Sequence, residues 1–168
     1  LLAKEIEKAG VNILNSGIGW HEARIPTIAT SVPKRAFSWV TKKLYGNVNI
    51  PIIASNRINS PEVAEDVLSE KCADLVSLAR PFLADSEFVK KAFENKPNEI
   101  VPCIACNQAC LDHTFSMQLT SCLVNPRACR ETELNYNRVT SSKKIAVVGA
   151  GPAGISFSIT AAQRGHVI

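Results

Sequence analysis

The sequence lacks a basic run. Its formal charge of +4 is spread over 168 residues, and the two short basic pairs, Lys42–Lys43 and Lys143–Lys144, read as solvated helix and linker positions. A nucleic-acid-binding tail would cluster such residues against phosphates, so this class of partner is not expected. The opening LLAKEIEKAG does not read as a secretory leader, because Lys4, Glu5, Glu7 and Lys8 interrupt any apolar core. Nor does any stretch read as a membrane span. The longest uncharged one, residues 145–162, carries three glycines, a proline and several hydroxyls, which suit a buried strand, turn and helix. Internal repeats and low-complexity tracts are absent as well.

What remains is a chain with 46% hydrophobic residues, enough for a real core. Six cysteines without a leader point to a reducing, cytoplasmic setting, and to thiol chemistry or metal binding in place of a disulfide frame. Residues 1–10 read as the last turns of a helix stopped by Gly10. Strands follow at VNILNSG (11–17), VNIPIIAS (48–55) and ADLVSLAR (73–80). Helices are expected at 34–46, at 60–71 and at 85–96. For the second, Ser60 is the cap and Pro61 the first residue; for the third, Asp85 is the cap. Helix and strand alternate, and the strands are almost continuously apolar, which predicts an α/β fold with a parallel sheet. Three strands alone would leave faces and edges uncovered, and the chain opens and closes inside elements, so it is expected to be a piece of a larger protein. Residues 130–142 are polar and aperiodic, the best linker.

Each strand runs into residues suited to chemistry. The first leads to GWHEARIPT, with His21 and Arg24, the second to Arg57, and the third to Ala79 and Arg80. In a (β/α)8 barrel the carboxyl ends of the strands form the reactive rim, where phosphate is often held. If the strands are parallel neighbours, His21, Arg57 and Arg80 converge, and two arginines suit a dianionic phosphate. An imidazole there suits proton donation, although a packed loop histidine fits the spacing equally well.

GAGPAG (149–154) follows the apolar run KIAVV and precedes a helical pattern, which is the setting in which G-x-G-x-x-G cradles a dinucleotide pyrophosphate. The remaining motif is C-x2-C-x3-C-x11-C, formed by Cys103, Cys106, Cys110 and Cys122. Three cysteines on one loop with a fourth from further on are closer to a [4Fe–4S] cradle than to paired zinc knuckles. His113 keeps a zinc site open as an alternative. Cys72 reads as a small buried residue.

In this order, GIGWHEARIPTIAT, SNRIN, LARPFLAD, CNQACLD, SCLVNPRAC and VVGAGPAG resemble the bacterial 2,4-dienoyl-CoA reductases. These are multi-cofactor enzymes of the old yellow enzyme group, related to trimethylamine dehydrogenases. The resemblance covers the whole chain. It implies the C-terminal part of an FMN-binding TIM barrel (1–100), a [4Fe–4S] segment (101–130), a linker (131–142) and the start of a Rossmann-like FAD/NAD(P)-binding domain (143–168). It further implies that NADPH reduces 2,4-dienoyl-CoA thioesters in unsaturated fatty acid β-oxidation, with electrons passing through FAD, the cluster and FMN. In that scheme His21 is catalytic and touches substrate with Arg24, while Arg57, Ala79 and Arg80 hold FMN. Cys103, Cys106, Cys110 and Cys122 hold the cluster, and Gly149, Ala150, Gly151, Pro152, Ala153 and Gly154 hold FAD. The only partner implied is a small-molecule thioester, with neither nucleic acid nor membrane involved. The 168-residue piece alone is expected to be inactive. An enoate reductase or amine dehydrogenase of the same architecture, or a zinc-stabilised binding module, are the alternatives. One departure is Ala105, where the family commonly has glycine; alanine fits unless the backbone there needs a positive φ.

Overall fold

The computed structural model describes residues 1–168 and divides them into two units, Leu1–Cys129 and Arg130–Ile168. In the first, helix α1 (Leu2–Lys8) leads to strand β1 (Leu14–Asn15), helix α2 (Ser38–Leu44), strand β2 (Ile52–Ser55), helix α3 (Pro61–Ser69) and strand β3 (Leu75–Ser77). The strands form one parallel sheet in the order β1–β2–β3, with Leu14 opposite Ile52 and Ile53 opposite Leu75. Parallel neighbours need crossovers, and α2 and α3 supply them. The α/β class and the parallel sheet are as expected.

The core lies between α3 and the sheet. Val67 of α3 is fully buried and packs with Ala54, Ile58, Ala64 and Ala73. Cys72 belongs to the same cluster at 2% exposure, so it works as a small apolar residue. The Ser60 hydroxyl accepts from the Val63 N–H, and Pro61 opens the first turn, as the sequence predicts.

Elsewhere tertiary contacts override local pattern. The strands are shorter than the apolar runs that contain them. The third run ends early because Arg80 and Pro81 begin helix α4 (Arg80–Ala84), where proline needs no N–H partner. Residues 34–37 stay outside α2, since Arg35 takes φ +50° and donates its N–H to the Arg57 carbonyl at 2.7 Å. Helix α5 is only Phe88–Phe93, with Glu87 as its N-cap.

Asp85 does something other than cap. It is 5% exposed, and its carboxylate accepts from Lys91 Nζ at 2.6 Å, the Val101 N–H at 2.9 Å and the Glu87 N–H at 3.0 Å. Burial alone would raise its pKa, but these three donors together hold it below the usual carboxylate value. The stabilisation is therefore complete above about pH 4 and fades as pH falls through the lowered value. Asp85→Asn is expected to cost ~2 kcal/mol at neutral pH. Denaturant unfolding should show the difference from wild type shrinking as the pH drops below 4.

The second unit holds helix α7 (Pro152–Gln163). The expected strand at KIAVV is reduced to one parallel bridge, Lys144 with Val167, because residues 145–148 find no continuing ladder. No helix is long and apolar enough to cross a membrane.

Candidate functional site

Because β2 and β3 are parallel neighbours, their carboxyl ends open side by side. After Ser55 the chain turns through Asn56 (φ +74°) and Arg57 (φ +58°), two successive left-handed residues that are not glycine. The turn is held by Asn56 Nδ2 donating to the Ile18 carbonyl at 2.8 Å. After β3, Ala79 and Arg80 start α4. The result is a pocket of about 110 Å³, lined by Ser55, Arg57, Ser77, Ala79, Arg80 and Cys103 among others.

Both guanidinium groups are positioned by backbone carbonyls of the 27–32 loop. Arg57 Nε donates to Val32 O at 2.9 Å. Arg80 Nη1 donates to Ile28 O at 3.1 Å and to Asn107 Oδ1 at 2.8 Å, and Nη2 to Thr27 O at 3.3 Å. Burial lowers the pKa of Arg57, and the neighbouring Arg80 charge lowers it further. Two cations crowded in a part-buried pocket make a setting that an anion relieves.

The cysteine segment is docked on this rim. Asn59 Nδ2 donates to Cys103 O at 2.9 Å, and the Thr30 hydroxyl lies 2.9 Å from Ile104 O and 2.8 Å from Ala105 O. Cys103, Cys106, Cys110 and Cys122 line one small pocket, walled also by Leu83, Leu123 and Val124. No three of the His, Cys, Asp or Glu side chains are gathered closely enough to share a single metal ion. Burial pushes the Cys110 thiol above the ordinary thiol range, with the Leu111 N–H partly offsetting it. Helix α6 (Leu111–Phe115) follows. His113 does not line the pocket; its Nδ1 lies 3.1 Å from Leu119 O.

Ala105 does take a positive φ, +54°, while 3% exposed. The left-handed backbone costs about 1–2 kcal/mol for a residue with a Cβ. A buried methyl returns roughly 0.8 kcal/mol, and glycine would lose about 0.5–1 kcal/mol more on ordering. These nearly cancel, which is why alanine is tolerated. Ala105→Gly should change stability by less than about 1 kcal/mol, whereas β-branched Ala105→Val should cost ~2 kcal/mol or more. Denaturant unfolding of the two variants checks both.

His21 and Arg24 are both exposed and neither lines the arginine pocket. The structure brings Arg57 and Arg80 together as the strand order requires, but His21 stands apart. Its ring meets Phe115 of α6 edge-on, 5.6 Å between centroids.

In the second unit the glycines of GAGPAG differ in what they do. Gly149 has φ +105°, and a Cβ on Gly154 would run into the Gly149 carbonyl oxygen. A Cβ on Gly151 would meet nothing within 4 Å. Gly151 is the N-cap of α7, so that open space lies at the positive end of a helix dipole.

Residues 3–99 match the NADH:flavin oxidoreductase / NADH oxidase family, more than half of the chain. The chain belongs to this family. That places it among the oxidoreductases. It is 45% identical over 168 residues to a metal reductase of Desulforamulus reducens (strain ATCC BAA-1160 / DSM 100696 / MI-1), covering 100% of this chain and 25% of that protein. To a cinnamate reductase of Clostridium sporogenes it is 32% identical over 170 residues, 99% of this chain and 26% of the relative. Among solved structures, a 2-naphthoyl-CoA reductase in complex with 2-naphthoyl-CoA superimposes with a TM-score of 0.90 at 33% identity. That match covers 98% of this chain and 26% of the other. This member of the flavin oxidoreductase family thus spans about a quarter of the length of the curated relatives it matches.

The sequence names the arginines and cysteines that line the two pockets, and it does not name Thr30, Asn59 and Asn107, which tie the pockets to the rim. The one local signal is an asparagine between Cys106 and Cys110, since asparagine is among the few residues at home in the left-handed region. Asn107 indeed has φ +65°.

Proposed function

We propose that this chain is part of a multi-cofactor reductase that uses NADPH to reduce the conjugated C=C bond of an enoyl- or 2,4-dienoyl-CoA thioester. Residues 1–100 are read as the end of an FMN-binding TIM barrel, 101–130 as a [4Fe–4S] segment and 131–142 as a linker. Residues 143–168 are read as the start of a Rossmann-like FAD-binding domain. One observation carries the reading: Arg80 and Cys103 line both the two-arginine pocket and the four-cysteine pocket.

The residues present fit each group. Arg57 and Arg80, with Ala79 at the start of α4, suit the FMN phosphate, because two crowded cations gain from an anion. Four cysteines around one apolar-walled pocket suit a cube that spreads its thiolates over separate corners. A single zinc would need the sulfurs gathered at about 2.3 Å from one point. Gly149 to Gly154 leave room at a helix N-terminus for the FAD pyrophosphate. When bound, the flavins supply two-electron hydride chemistry and the cluster one-electron transfer. This chain's own work is to hold those groups and, through His21 and Arg24, to orient the acyl substrate and support its protonation. Phe115 of α6 meets the His21 ring edge-on from one side.

The relatives named for cinnamate and 2-naphthoyl-CoA support an unsaturated acyl acceptor, and the former favours a second reading, a free-acid enoate reductase. Full-length protein with NADPH is expected to reduce 2,4-dienoyl-CoA faster than cinnamate. A preference for cinnamate selects the second reading, and oxidation of trimethylamine without either reduction overturns both. Iron and acid-labile sulfide are expected at about four each per chain; zinc without sulfide would remove the cluster.

A further inference from the structure

We propose that Asn107 is the positioning residue that joins the two pockets, so that filling the phosphate pocket and ordering the cysteine loop are thermodynamically linked. The proposal rests on the cofactor reading above. Asn107 lies between Cys106 and Cys110 and lines the cysteine pocket. Its Oδ1 accepts from Arg80 Nη1 at 2.8 Å and its Nδ2 donates to Ile28 O at 3.1 Å. The same Arg80 Nη1 also donates to Ile28 O at 3.1 Å. One amide, one guanidinium and one carbonyl thus close a triangle, with the cysteine loop at one corner and the phosphate pocket at another.

The position makes three demands. The backbone is left-handed, which asparagine tolerates better than most residues. Arg80 Nη1 takes an acceptor and Ile28 O a second donor, and a carboxamide offers the two from separate atoms of one short side chain. With both Nη1 hydrogens engaged, the guanidinium plane is fixed, and Nε with one Nη2 hydrogen is left for a ligand in the pocket. An anion that fixes Arg80 therefore fixes Asn107 and the loop carrying Cys106 and Cys110. A cluster that fixes the loop presents Arg80 ready-oriented. Each ligand removes part of the ordering cost of the other, and the coupling is reciprocal.

The test uses full-length enzyme as wild type, Asn107→Ala and Asn107→Asp. FMN dissociation constants are read by flavin fluorescence with the cluster intact and after its removal by chelation. Wild type is expected to bind FMN at least about fivefold more tightly with the cluster present. In Asn107→Ala that ratio should fall to within about twofold. Asn107→Asp keeps the acceptor for Arg80 and suits the left-handed backbone but sets a carboxylate oxygen against Ile28 O, so the ratio should fall there as well. By reciprocity, FMN should slow cluster loss to chelator in wild type and not in Asn107→Ala. Should Asn107→Ala not fold, Arg80→Lys carries the comparison, because lysine lacks the planar fork and the ratio should fall likewise. Equal FMN affinities with and without cluster in wild type, or an unchanged ratio in these variants, overturn the proposal. Wild-type protein holding zinc or no sulfide overturns the cofactor reading itself, and the linkage falls with it.

Discussion

Arg80→Ala in the full-length enzyme is expected to weaken FMN binding about 100-fold, while flavin-free protein loses little stability. A hydrogen bond to a charged group contributes about 1.5–3 kcal/mol, and Arg80 offers one or two to a phosphate in the pocket. Removing it also takes the Arg80 donor from Thr27 O and Asn107 Oδ1, while Ile28 O keeps its donor in Asn107 Nδ2. In the empty pocket the loss is partly offset, because Arg57 is relieved of a neighbouring like charge that now lowers its pKa. Affinity and stability thus separate. Arg80→Lys keeps the charge without the fork and should lose about tenfold. Titration of deflavinated protein with FMN, beside denaturant unfolding, reads both quantities. An unchanged FMN affinity in Arg80→Ala would mean that the pocket binds something else.

Gly154→Ala and Gly151→Ala are expected to fail in opposite ways. The new methyl at Gly154 meets the Gly149 carbonyl oxygen, so the first turn of α7 must move off the glycine turn. Overpacking of that kind costs about 1–3 kcal/mol, and FAD binding goes with it. At Gly151 the methyl points into open space from an extended backbone that any residue adopts, φ −77° and ψ 178°. Stability should change by less than about 1 kcal/mol, yet FAD affinity should fall about tenfold as the methyl occupies the approach to the helix N-terminus. Unfolding curves and FAD titration of the two variants separate a structural glycine from a ligand-facing one. If both variants behaved alike in both assays, the turn would hold no pyrophosphate.

What the sequence reveals and what it hides divide along the range of the forces involved. Helix α3 is legible to its cap because Ser60, Pro61 and Glu62 act within one turn. The parallel sheet is legible from alternation, and the meeting of Arg57 with Arg80 follows from strand order. Local pattern overstates the strands, since an apolar run such as KIAVV becomes a ladder only where a partner lies beside it. The contact of His21 with Phe115 is hidden for a similar reason, since Phe115 comes from a helix whose docking no spacing announces. Ala105 does not itself mark its positive φ, and only the glycine common at that place in the family it resembles raises the question. Thr30, Asn59 and Asn107 look like ordinary polar loop residues until the rim and the cysteine loop are brought together.

The ties on the cysteine loop also set an order of events in time. Its carbonyls and its Asn107 amide are held by partners 44 to 79 residues away in sequence, namely Asn59, Thr30 and Ile28. Contacts that distant form only after the intervening chain has closed. Before that, the four thiols are unrelated groups on an open chain, and they share one pocket only once the strand ends are in place. On the proposed cluster reading, loading of iron would be a step that follows folding of the rim.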